Sequence, residues 1–173
     1  ISQVSHAIRV SSLPSRNNDS LSFLKLCSKY QLLVMATFSF RPYHLTADNI
    51  PALTSKILTD FLQFVYNYRS VGSVWAWMIG DVGDFPPVDQ IPEPDIFFTM
   101  LAALIQDMVS VAHRNNPHDR YVYVAVNLRV STLREPQIAT IYRIPTVDML
   151  VLDGEGMTVG AIRDGLAGLQ AMT

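Results

Sequence analysis

Few residues in this chain combine the types and spacing that chemistry needs, and they fall in four places. The stretch His113-Arg114-Asn115-Asn116-Pro117-His118-Asp119 sets two histidines five apart beside an aspartate. Those types serve as metal ligands or as a general base. The stretch straddles a helix end and a proline turn, so the two rings need not converge, and a cation near a helix C-terminus has a dipole explanation of its own. The second place is Asp153-Gly154-Glu155-Gly156-Met157-Thr158-Val159-Gly160, between a strand and a helix. A dinucleotide-binding turn would stand there, but the glycine spacing is one residue too long, and Glu155 would face the pyrophosphate with like charge. A tight turn with a helix cap explains it better.

The third is the acidic loop of Asp81, Asp84, Asp89, Glu93 and Asp95. Hard cations take such oxygen ligands, yet the calcium-loop spacing is absent and Pro86, Pro87, Pro92 and Pro94 spread the carboxylates. The fourth pairs Tyr121 and Tyr123 on one strand face with Arg120, Arg129 and Arg143 nearby in sequence. Single-stranded RNA stacks on sheet faces of this sort, although alternating tyrosines are also ordinary strand stock. The single cysteine, Cys27, excludes an intrachain disulfide and a cysteine-based zinc cluster. It lies between Lys25 and Lys29 with no histidine adjoining it, and reads as an incidental thiol. These residues assign no catalytic, cofactor-binding or metal site.

The elements that would have to position such groups divide the chain unevenly. Residues 1–45 hold five basic residues (Arg9, Arg16, Lys25, Lys29, Arg41) against Asp19 alone; residues 46–173 hold eight basic and fourteen acidic ones, so +4 is joined to −6. Such a split points to a basic tail with its own partner. Residues 1–34 are rich in serine and interrupted by Pro14 and Asn17-Asn18, which reads as an extended arm. Its origin has three explanations: an organellar transit segment, an arm cut from a longer precursor, or codons upstream of a start at Met35. Ordering each residue of such an arm costs about 1–2 kcal/mol, so a neighbouring subunit is expected to hold it.

In the body, apolar residues from Ile50 to Tyr68 recur at spacings of three and four and predict a helix over 47–69, with Thr46 or Asp48 as its cap. The same spacing predicts a helix over 94–113 and another over 158–171, whose Ala161, Gly165 and Gly168 form a small-residue stripe suited to a close neighbour. Residues 71–79 are too short to assign between strand and helix; as a strand they would put Trp75 and Trp77 on one face. Strands are expected over 120–131, 137–144 and 147–152, the first two antiparallel. No apolar run reaches the roughly eighteen residues of a membrane span, because Asp60, Arg69, Asp81 and Asp84 interrupt the richest region.

The chain of 173 residues therefore reads as one α+β domain, residues 46–173, with a small antiparallel sheet of three strands, preceded by the arm 1–45. With charged residues at only 16% and no assigned chemistry, the expected role is a non-enzymatic subunit of a larger protein assembly. A viral coat or shell protein is the first form of that expectation, and an accessory subunit of a mitochondrial complex the second. A small hydrolase or ligand-binding enzyme using His113, His118 and one of the loop acids, and an RNA-binding module using the arm and the tyrosine face, are the alternatives.

Overall fold

Short apolar runs alternate with helical stretches along the whole chain, and the fold turns that alternation into five strand–helix units. The computed structural model describes residues 7–10, 18–39, 45–80, 88–129, 133, 135–153 and 157–171. In chain order the elements are β1 (Ala7–Val10), α1 (Asn18–Lys29), β2 (Leu33–Phe38), α2 (Ile50–Tyr68), β3 (Val74–Ile79), α3 (Pro94–Arg114), β4 (Tyr123–Arg129), α4 (Ala139–Tyr142), β5 (Met149–Asp153) and α5 (Val159–Ala171). All five strands are parallel, in the order β1-β2-β3-β4-β5.

This order fixes the architecture. Parallel neighbours are joined by right-handed crossovers, and when the order never reverses every crossover helix falls on the same face. The opposite face is then concave, as in the wall of a barrel. Flat, β1 and β5 would stand about 19 Å apart, four strand spacings. Instead Arg9 Nη1 of β1 lies 3.3 Å from Asp153 Oδ2 of β5, so the sheet curls into a half-barrel.

The expected α+β fold with a small antiparallel sheet is thus corrected to a parallel α/β fold. Two physical reasons account for the error. Strands buried on both faces lose the alternation that identifies a half-exposed strand. Residues 137–144 are also helical, a 3-10 turn at Pro136–Ile138 running into α4. Their buried residues Ile138, Ile141 and Ile144 recur every third position, a helical spacing. The extended arm is corrected as well. Its residues 7–10, 18–29 and 33–38 are β1, α1 and β2, and β2 pairs with β3 across residue 45. Backbone pairing within the chain orders that segment, so order there requires no neighbouring subunit.

The core lies between the sheet and the helices. Phe61, Phe64 and Trp77 are almost wholly buried, with Phe64 set edge-on to Trp77 at 5.7 Å and to Tyr68 at 5.4 Å. Each such side chain contributes about 1.5–3 kcal/mol by burial. The start of α2 is tied by a reciprocal pair, Thr46 N–H to Asn49 Oδ1 at 2.8 Å and Asn49 N–H to Thr46 Oγ1 at 3.3 Å. By length and composition α3, with a mean hydropathy of 1.6, could cross a membrane. Its Phe97, Phe98, Leu101, Leu104, Ile105 and Met108 are spent in the core.

Candidate functional site

Alternation along each strand assigns the faces. Ile8, Val10, Val34, Ala36, Trp77, Ile79, Val124, Val126, Leu128, Leu150 and Leu152 join the core under the helices. The residues between them therefore face the concavity: Arg9 on β1, Met35 and Thr37 on β2, Ala76 and Met78 on β3, Tyr123, Ala125 and Asn127 on β4, and Val151 and Asp153 on β5. A register shift between Val34 and Met35 leaves Trp75 as an extra residue between Val74 and Ala76. A bulge of this kind re-aims a side chain. Trp75 meets Tyr123 at 6.1 Å while Trp77 packs on Phe64, so the two tryptophans do not share a face.

Toward the carboxyl ends of the strands this lining turns polar. Thr37 and Asn127 are buried, at 0% and 2% exposure, and the Arg9 and Asp153 side chains keep only 28% and 13%. Thr37 Oγ1 has no hydrogen-bond partner among the described residues, which is uncommon for a buried hydroxyl. Asp153 opens the glycine-rich stretch examined for a nucleotide, and its partner is Arg9; residues 154–156 lie outside the described residues. Sequence reasoning missed Arg9, Thr37 and Asn127. The available signal was an isolated polar residue within an otherwise apolar strand, Arg9 in Ala7–Val10 and Thr37 in Leu33–Phe38.

At the amino ends of the strands a second polar group gathers around Asp148. Its Oδ2 accepts the Val124 N–H at 2.7 Å and lies 3.0 Å from His113 Nε2; its Oδ1 accepts the Tyr121 hydroxyl at 2.9 Å. Tyr121 Oη also lies 2.9 Å from His113 Nε2. Burial alone would raise the Asp148 carboxyl, but hydrogen bonds from His113, the Val124 amide and Tyr121, with the His113 charge, hold it below the ordinary carboxylate range. Burial, together with the neighbouring carboxylate, pushes the Tyr121 phenol up to about 12. The cluster ties the end of α3 to the starts of β4 and β5.

His113 is thus engaged with Asp148, whereas His118 is exposed and lines a cleft with Arg69, Asn116 and Arg120. Among the described residues no three His, Cys, Asp or Glu side chains gather as a metal site. Of the acidic loop, Asp81 and Asp84 lie outside the described residues, Asp89 is exposed, and Asp95 accepts the Gln137 amide at 2.9 Å. Tyr121 and Tyr123 meet edge to face at 5.2 Å and 79°, and the Arg120 guanidinium binds the carbonyls of Arg69 and Val71. Cys27 is buried, and burial pushes its thiol up, away from nucleophilic use.

Sequential parallel βα units curled about a polar carboxyl-end lining define a barrel-type α/β fold. Among solved structures the chain is similar to the β-glucuronidase of Ruminococcus gnavus, with a TM-score of 0.59 and 14% identity over 96% of this chain and 26% of that one. It is also similar to the Bifidobacterium dentium β-glucuronidase complexed with coumarin-3-O-glucuronide, with a TM-score of 0.49 and 12% identity over 96% and 32%. The chain therefore spans about a third or less of the length of these structures. No family model matches it, and no curated protein does. The expected capsid-type α+β fold is corrected by the same finding, since the likeness is to glycosidase folds built on a parallel sheet.

Proposed function

We propose that this chain forms part of a barrel-type binding site for a polyhydroxylated small molecule of the carbohydrate class, held at the carboxyl ends of the strands. The observation that carries the reading is the Thr37 hydroxyl, wholly buried on the concave face and without a partner among the described residues, on the same face as Arg9, Asn127 and Asp153. Ligands of parallel α/β folds sit at that end of the sheet. Guanidinium, carboxylate, amide and hydroxyl groups together supply both donors and acceptors, which vicinal hydroxyls require. The likeness to a β-glucuronidase fold supports the same class of ligand. Hydrolysis of a glycosidic bond takes two facing carboxylates, and Asp153 stands alone on that face among the described residues, so binding is the activity proposed.

The test is ligand-observed NMR of the chain with neutral and acidic monosaccharides. Saturable binding that weakens by about tenfold or more in Asp153→Asn, with unfolding cooperativity retained, is expected; a tenfold loss is 1.4 kcal/mol, the scale of one charge-assisted hydrogen bond. Absence of binding to every sugar up to millimolar concentration would refute the reading. A second reading, membership of a larger protein assembly, draws on the exposed Phe23 and Leu26 on α1 and Tyr30 just after it, flanked by Lys25 and Lys29. Light scattering at two protein concentrations separates it from a monomeric binding module.

A further inference from the structure

At the end of the sheet opposite the proposed sugar site, the turns leading into β3 and β4 enclose a cleft of about 580 Å³, with Arg69, Gly72, Asn116, His118 and Arg120 in its wall. That volume is in the range of small-molecule sites. Arg120 is its fixed point. Nη2 donates to the carbonyl oxygens of Arg69 and Val71 at 2.7 and 2.6 Å, which locks the guanidinium plane. The Nη1 and Nε hydrogens remain uncommitted among the described residues. Gly72 leaves that side of the guanidinium open, since a Cβ built there would stand 3.9 Å from Nη1.

Arg69 also stands in the wall, and its guanidinium lies 4.2 Å from the centre of the Tyr66 ring, a contact that limits its freedom. One carboxylate in the wall, Asp119, stands against two guanidinium groups and His118. The Asn116 amide oxygen and nitrogen are both enclosed without hydrogen-bond partners among the described residues. A side-chain rotation that presented them to a ligand would remove that standing cost.

We propose that this cleft is a binding site for a small phosphorylated molecule, with the phosphate on Arg69 and Arg120 and the remainder against Asn116. Planar guanidinium groups match phosphate oxygens in bidentate fashion, and a pre-oriented fork loses less freedom on binding. The cleft is larger than a bare phosphate needs, and the Asn116 amide offers one donor and one acceptor surface, the complement of a hydroxyl group.

The experiment is a ¹H–¹⁵N NMR titration with inorganic phosphate and with glycerol 3-phosphate, each at constant ionic strength, with sodium chloride as reference. Saturable shifts at the amides of Ser70, Gly72 and His118 are expected, with glycerol 3-phosphate binding more tightly than phosphate. Arg120 holds two backbone carbonyls, so the variants are Arg69→Gln and His118→Gln, each compared only once its unfolding transition is shown to be cooperative. Arg69→Gln should weaken binding about fivefold or more, the scale of one charge-assisted contact, and His118→Gln should weaken it less. Shifts that chloride reproduces, or that Arg69→Gln leaves unchanged, overturn the site. Equal affinity for phosphate and glycerol 3-phosphate overturns its assignment to a phosphorylated molecule.

Discussion

Thr37→Val removes one hydroxyl from the concave face and changes almost nothing else. Both residues are β-branched and suit a strand. The side chain is wholly buried, and its Oγ1 has no partner among the described residues, so the hydroxyl bears a desolvation cost with no hydrogen bond to offset it. That cost is about 1–3 kcal/mol in protein mutational data. Valine fills nearly the same shape and leaves no cavity, so the variant is expected to gain about 1–2 kcal/mol. For a domain of this size that corresponds to a rise of about 2–8 °C in Tm. Equilibrium urea unfolding reads the free energy directly, with the slope unchanged because the exposed surface is unchanged. The same variant should bind carbohydrate more weakly. A loss of more than about 0.5 kcal/mol would refute the reasoning, because the hydroxyl would then have a partner worth keeping.

Three further expectations rest on other parts of the fold. Asp148→Ala strips acceptors from the buried Val124 amide, His113 and Tyr121, and should cost about 2–4 kcal/mol by chemical denaturation. Because the folded Asp148 carboxyl is depressed, its contribution is present above the unfolded value near 4 and lost as pH falls through the folded one; the variant should flatten the acid limb of a stability profile. Tyr121 has the opposite sign: its phenol is raised to about 12, so stability should fall between about pH 10 and 12 as the unfolded phenol ionises, and Tyr121→Phe should remove one late-titrating tyrosine from the ultraviolet difference spectrum. Phe64→Ala, which empties the space between α2 and Trp77, should cost about 3–5 kcal/mol in the same unfolding assay.

The long helices were legible because their partners are local. Apolar residues three and four apart located α2 and α3 to within a few residues, and the C-terminal helix likewise. The sheet was not legible, for a reason that lies in the strands themselves. Val74–Ile79 is apolar on both faces, so no period distinguishes it from a buried helix. The direction of pairing is a non-local property: β3 and β4 are joined through α3, and nothing within Tyr123–Arg129 records which neighbour it will meet. In the N-terminal segment, serine content concealed a helix whose Ser20, Leu24 and Cys27 turn inward, spaced four and three apart. Of the sites, His113 was singled out, but its partner Asp148 lies 35 residues away and no spacing rule joins them.

The Asp148 cluster and the concave face treat buried polarity differently, and that contrast separates a structural group from the proposed sugar site. Around Asp148 the donors and acceptors meet one another: the carboxylate takes an amide, a phenol and an imidazole, so the cluster offsets its own desolvation and explains itself as structure. On the concave face Arg9 and Asp153 reach each other across the curled sheet, which fixes their positions, while the buried Thr37 hydroxyl has no partner among the described residues. A fold selected for stability alone would place valine there, as it does at Val34 and Val74. The proposed sugar site rests on that hydroxyl: it shares the concave face with a guanidinium, a carboxylate and an amide, groups that together suit a ligand with hydroxyl groups of its own.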